Sequence, residues 1–98
     1  MRLKKCKRVY ISGPITGNSK AAERELKKQG YEVINPYKNN LVMPESTTHQ
    51  EYMEICLNQL KMCDIIYMLE GWEESTGATI EFEHAVESKM TIVFQGGK

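Results

Sequence analysis

Seven consecutive residues, CDIIYML at 63–69, constrain this chain more than any other stretch. A run so apolar suits a strand buried on both faces, which means a strand of a parallel sheet covered by helices. Gly71 ends the run, so the next stretch, GWEESTGATIEFEHA at 71–85, begins at the carboxyl end of that strand. Open α/β sheets bind ligands at that edge. From Gly77 the pattern turns helical, with Ala78, Phe82, Ala85 and Val86 on one face at about 100° per residue. On the same wheel Glu81 borders that face near the helix start, whereas Glu83 and Glu87 point away. Glu81 is therefore placed to reach a cleft, where burial raises a carboxyl pKa and the helix dipole lowers it. From the residues alone, a solvated glutamate serving the helix start is an equal alternative.

The remaining segments repeat the alternation of strand, loop and helix. VYIS at 9–12 is β-rich and runs into GPITGNS, whose glycines admit a ligand to the backbone while Ser12 and Thr16 offer hydroxyls. The loop holding Gly13 and Gly17 matches neither G-x-G-x-x-G nor the P-loop, so it predicts contact with a sugar or phosphate rather than a dinucleotide or triphosphate cradle. Asn18 or Ser19 caps a first helix with Ala22 and Leu26 inward. YEVIN at 31–35 is a second strand stopped by Pro36, which leaves Asn35 at the ligand edge. Residues 36–46 read as a long loop or flap. Thr48 and Glu51 form the capping box of a second helix, along which Tyr52, Ile55, Cys56, Leu60 and Cys63 keep helical spacing. TIVF at 91–94 is the last strand. The fold class is α/β: a three-layer, Rossmann-like or flavodoxin-like parallel sheet of four strands with three helices. VYIS and DIIYML are central, giving strand order 2-1-3-4.

At 98 residues the chain is a single domain over 1–98, and its formal net charge of zero provides no global attraction for nucleic acid or an anionic membrane. Five cationic side chains within the first eight residues read as a solvated leader, with phosphate contact as the alternative. No apolar run reaches the roughly 18 residues of a membrane span, and no secretory core is present, so a cytoplasmic protein is expected. Three cysteines without C-x-x-C, and two histidines without zinc-ligand spacing, predict neither disulfide nor metal. Ile80 faces away from the core stripe of its helix and lies near Trp72 in sequence. An apolar patch there predicts a homodimer.

Taken together, YISGPITG (10–17), INP (34–36) and GWEESTGATIE (71–81) resemble the nucleoside 2-deoxyribosyltransferase-like family, in its small DUF4406-like branch of unassigned function. The resemblance covers nearly the whole chain. It implies an N-glycosidase or deoxyribosyltransferase acting on a nucleoside or nucleotide without a cofactor. The alternative is a nucleotide-binding or sensing module of the same fold. The family's nucleophilic glutamate, four residues after a glycine, corresponds to Glu81, and its first-strand tyrosine to Tyr10. Ser75 occupies the position that contacts a 5′-phosphate in the nucleotide-cleaving relatives. Ser12, Gly13, Thr16, Gly17, Asn35, Trp72 and Gly77 complete the expected substrate wall. Two departures stand out. The relatives' second aspartate corresponds to Cys56, and Pro14 and Thr16 replace a serine and an arginine that hold phosphate.

Overall fold

The computed structural model describes residues 7–14 and 18–97. Within them a four-stranded parallel sheet runs in the order β2-β1-β3-β4, formed by Arg8–Ser12 (β1), Glu32–Ile34 (β2), Ile65–Met68 (β3) and Thr91–Phe94 (β4). The helices are Asn18–Lys28 (α1), His49–Lys61 (α2) and Thr76–Glu87 (α3). The α/β class and the strand order are those read from the sequence. The two most apolar runs take the inner positions because only there are both faces covered.

Alternation along β1 divides the core. Val9 and Ile11 pack with Ala22 and Leu26 of α1, whereas Tyr10 packs with Cys56 and Leu60 of α2 and Ala78 and Ala85 of α3. One helix therefore covers one face of the sheet and two cover the other. In the register, Tyr10 lies between Ile34 and Ile66, and Ser12 lies beside Met68. The carboxyl ends of β1 and β3 thus open toward the amino-terminal ends of α1 and α3.

Several local expectations need correction. Val86, assigned above to the core stripe, is half exposed, while Ala78, Glu81 and Ala85 are the buried residues of α3. Two short hydrogen bonds draw Glu81 inward, so the buried face rotates toward it and away from Val86. Ile55 is likewise exposed, and Met53 replaces it beside Cys56 and Leu60 on the buried face of α2. The segment expected to be a long loop or flap contains a 3-10 turn, Pro36–Leu41, started by the Asn35 side chain accepting from the Tyr37 N–H. The Thr48–Glu51 capping box is present in both directions.

Glu23 is a buried charge that the sequence reading did not foresee. It accepts from Asn35 Nδ2 at 3.1 Å, Lys38 Nζ at 2.9 Å and Lys27 Nζ at 2.8 Å, which ties α1 to the end of β2 and to the turn after it. Burial pushes this carboxyl up, but the bonds from Lys27, Lys38 and Asn35 outweigh it and bring the pKa from 4.5 down to about 2. A depressed carboxyl pKa stabilises the fold above the ordinary value, and that stability is lost as pH falls from about 4.5 to about 2. Both ammonium groups are more than half exposed, so solvent screening leaves on the order of 2 kcal/mol. Urea unfolding across that pH range should therefore show a steeper loss of stability in the wild type than in Glu23→Gln. Equal slopes would remove the assignment.

Candidate active site

The second turn of α3 carries Glu81, and the helix start fixes where that turn lies. Ser75 is the N-cap, its Oγ accepting from the Ala78 N–H at 3.2 Å, and Thr79 Oγ1 donates back to the Ser75 carbonyl at 2.9 Å. Glu81 is 5% exposed and reaches the carboxyl end of β1. There the Tyr10 hydroxyl donates to Oε2 at 2.5 Å and Ser12 Oγ donates to Oε1 at 2.6 Å. Each carboxylate oxygen thus has its own short donor. Burial pushes the Glu81 pKa up, and the bonds from Ser12 and Tyr10 offset that in part, so the net direction is upward. Burial, reinforced by the charge of Glu81, pushes the Tyr10 phenol far above its ordinary value. Tyr10 is therefore a permanent donor at any ordinary pH.

Glu81 forms part of the wall of a cavity of about 680 Å³. Of the residues singled out by sequence, Gly13, Asn35, Ser75 and Gly77 line it with Glu81, while Tyr10 and Ser12 lie against the Glu81 carboxylate. Asn35 lines the cavity but is engaged elsewhere, its amide donating to Glu23 and its oxygen accepting from the Tyr37 N–H. Trp72 does not join this group. Its ring packs on Phe82 at 4.7 Å between centroids and faces a separate, smaller hollow with Phe94 and Gln95, because the 3-10 turn Trp72–Glu74 turns it away. Thr16 and Gly17 lie outside the described residues.

A second wall of the cavity comes largely from the segment read as a long loop or flap, although the sequence reading named none of its residues for the site. Tyr37, Met43, Pro44, Glu45 and Thr47 reach it from the segment after β2, and Tyr52 and Met53 reach it from α2. The Asn35-Pro36 step was the available signal, since asparagine before proline favours turn initiation. Thr48 and His49, at the start of α2, also border the cavity. Cys56 lies deeper, 1% exposed, with burial pushing its thiol up and Asn39 Nδ2 3.8 Å from its sulfur. Among the described residues no cluster of three or more His, Cys, Asp or Glu could hold a metal ion. No helix among them is long and apolar enough to cross a membrane.

A family model for a domain of unknown function, DUF4406, matches residues 7–94. The chain belongs to the DUF4406 family. No curated protein matches this DUF4406 chain significantly. Among solved structures it is similar to the 2-deoxyribosyltransferase of the psychrotolerant bacterium Bacillus psychrosaccharolyticus, with a TM-score of 0.75 at 18% identity. The match covers 89% of the DUF4406 chain and 70% of the transferase chain. At that identity the likeness establishes a shared fold.

Proposed function

We propose that this DUF4406 protein cleaves the N-glycosidic bond of a nucleoside or nucleotide, with Glu81 as the nucleophile. One observation carries the reading: a buried carboxylate, hydrogen-bonded through both oxygens, in the wall of a cavity large enough for a nucleoside. A carboxylate so placed can attack the anomeric carbon of the sugar. The bond from that carbon to the base nitrogen breaks, the base departs with a proton, and a glycosyl ester to Glu81 remains. Attack by water completes hydrolysis, and attack by a second base completes transfer. Tyr10 and Ser12 hold the two oxygens and keep the nucleophile from turning away. His49, at the cavity edge, is within the same space as a proton donor for the leaving base.

On this reading Gly13 and Gly77 leave room for the sugar, and Ser75, also in the cavity wall, contacts a 5′-phosphate as the family resemblance implies. A second reading is a binding or sensing module with little chemistry. It is favoured by Cys56, a neutral thiol where the resemblance implies an aspartate. Incubation with 2′-deoxynucleosides and their monophosphates, followed by chromatography of free base and by thermal shift, separates the two. Base release supports the enzyme, stabilisation without release supports the module, and neither response removes both.

We also propose that the protein acts in the cytoplasm as a homodimer. Ile80 on α3 is 38% exposed, on the side of the helix away from Ala78 and Ala85. Sedimentation velocity at micromolar concentration is expected to show a dimer that Ile80→Lys weakens without unfolding the chain. A wild-type monomer at high concentration would end this proposal.

A further inference from the structure

INP at 34–36 has a place in the family resemblance and no task in the mechanism above. Asn35 lines the cavity, yet both ends of its amide are engaged within the protein. Its Oδ1 accepts from the Tyr37 N–H at 3.2 Å and so starts the turn Pro36–Leu41, while its Nδ2 donates to Glu23 Oε1 at 3.1 Å. An amide has one donor end and one acceptor end, and turning this one over would set N–H against N–H at Tyr37. The acceptor at position 23 holds it the right way round.

The second oxygen of Glu23 reaches the same turn, Oε2 accepting from Lys38 Nζ at 2.9 Å. One carboxylate therefore grips residues 35 and 38, and the two residues between them, Pro36 and Tyr37, both line the cavity. Glu23 stands behind that wall rather than in it. From the other face of the sheet, α2 holds the turn at two points. The Tyr52 hydroxyl donates to the Pro36 carbonyl at 3.1 Å, and Asn39 and Gln59 form a reciprocal amide pair at 2.8 and 3.2 Å. Two anchors leave a segment free to roll about the line that joins them. Glu23, on α1, supplies the hold that stops the roll.

We propose that Glu23 is a positioning residue that fixes the Pro36–Tyr37 wall of the cavity and thereby sets affinity for the nucleoside or nucleotide. Its bearing on the reaction rests on that cavity being the substrate site. The role requires a carboxylate, since glutamine has a single acceptor oxygen and would serve Asn35 or Lys38 but not both. A wall that touches substrate equally in the ground and transition states governs KM and leaves kcat alone.

A matched pair of lysines provides the test. Lys27 and Lys38 meet the same Glu23 oxygen at 2.8 and 2.9 Å, with side chains 56% and 59% exposed, so the two neutralise the carboxylate alike. Lys27 lies one turn further along α1, and its bond ties that helix to itself, whereas the bond from Lys38 carries the turn. Lys38→Met is expected to raise KM for the best substrate among the 2′-deoxynucleosides and their monophosphates by about tenfold, with kcat within about twofold, the scale of one lost charge-assisted bond. Lys27→Met should cost similar stability and leave both constants unchanged. Glu23→Gln should raise KM at least as far as Lys38→Met, and the two exposed lysine positions keep the test open if that variant unfolds.

Hydrogen exchange at the Tyr37 amide, read by NMR without any ligand, is the second measurement. It should accelerate in Lys38→Met and Glu23→Gln beyond any change in the sheet amides, and not in Lys27→Met. Equal effects of the two lysine variants on KM and on exchange would overturn the positioning role, as would a fall in kcat at constant KM. Exchange that responds to Lys38 alone in a protein that releases no base would uphold the hold on the wall and remove the glycosidic reading. Base release with the two lysine variants alike would do the reverse.

Discussion

Glu81→Gln is expected to lower base release by at least ~10³-fold, as removal of a nucleophile does elsewhere, while leaving the fold at least as stable near neutral pH. The two effects have one cause. Burial pushes the Glu81 carboxyl up, so its folded pKa lies above its unfolded value. Such a group gives its full contribution to stability below the unfolded pKa and loses it as pH rises through the folded one. Above that point the wild type holds a buried charge that water would hold better. Glutamine keeps the shape and one acceptor oxygen without the charge. Urea unfolding at several pH values should show the stability advantage of the variant growing as pH rises from the unfolded toward the folded pKa and levelling off above it, together with near-complete loss of activity. A variant that loses stability as well as activity would mean that Glu81 is there for the fold, and the functional reading would fail with it.

Gly13→Ala should be the most damaging glycine-to-alanine change among the described residues. Gly13 has φ +156°, a conformation that L side chains rarely adopt, and a Cβ there would stand 2.6 Å from the Leu69 Cβ, where β1 and β3 end side by side. The Ser12 carbonyl accepts from the Leu69 N–H at 2.8 Å, so backing away to relieve the clash would break a sheet bond. Backbone strain of roughly 1–3 kcal/mol and overpacking of similar size act together, for a loss of about 2–5 kcal/mol. Gly30→Ala is the control, because Gly30 also has positive φ (+96°) but a Cβ there meets nothing within 4 Å. It should cost about 1 kcal/mol. Denaturant midpoints measured on both variants separate collision from backbone conformation, and equal losses would show that the contact with Leu69 carries no weight.

Much of the architecture was legible because it rests on patterns local to the chain. The apolar run before Gly71 announced a central parallel strand, and Thr48 with Glu51 announced the start of α2. The candidate nucleophile was half legible, since its place on the helix wheel put it beside the core stripe but not within it. Its contacts with Tyr10 and Ser12 join residues 71 and 69 positions apart, and helical periodicity says nothing about such pairings. Only the family resemblance brought Tyr10 to Glu81 beforehand. Glu23 escaped notice because a glutamate four residues before a lysine reads as a surface pair, and its burial depends on Asn35 and Lys38 arriving from another segment. Asn39 and Gln59 were invisible for the same reason. Val86 and Ile55 were misplaced because an apolar residue at the margin of a helix face is buried or exposed according to what the neighbouring element covers.

Trp72 gives the molecule an internal optical reporter. It is the sole tryptophan, and its indole rests 4.7 Å from the ring of Phe82, with Phe94 completing a three-ring stack. Phe82 follows Glu81 directly on α3, yet the indole lies outside the cavity. A bound base would not quench it by contact. Its emission responds instead to the seating of the helix that presents the carboxylate, so one unlabelled fluorescence signal can follow both melting of the chain and small displacements of α3 when the cavity fills.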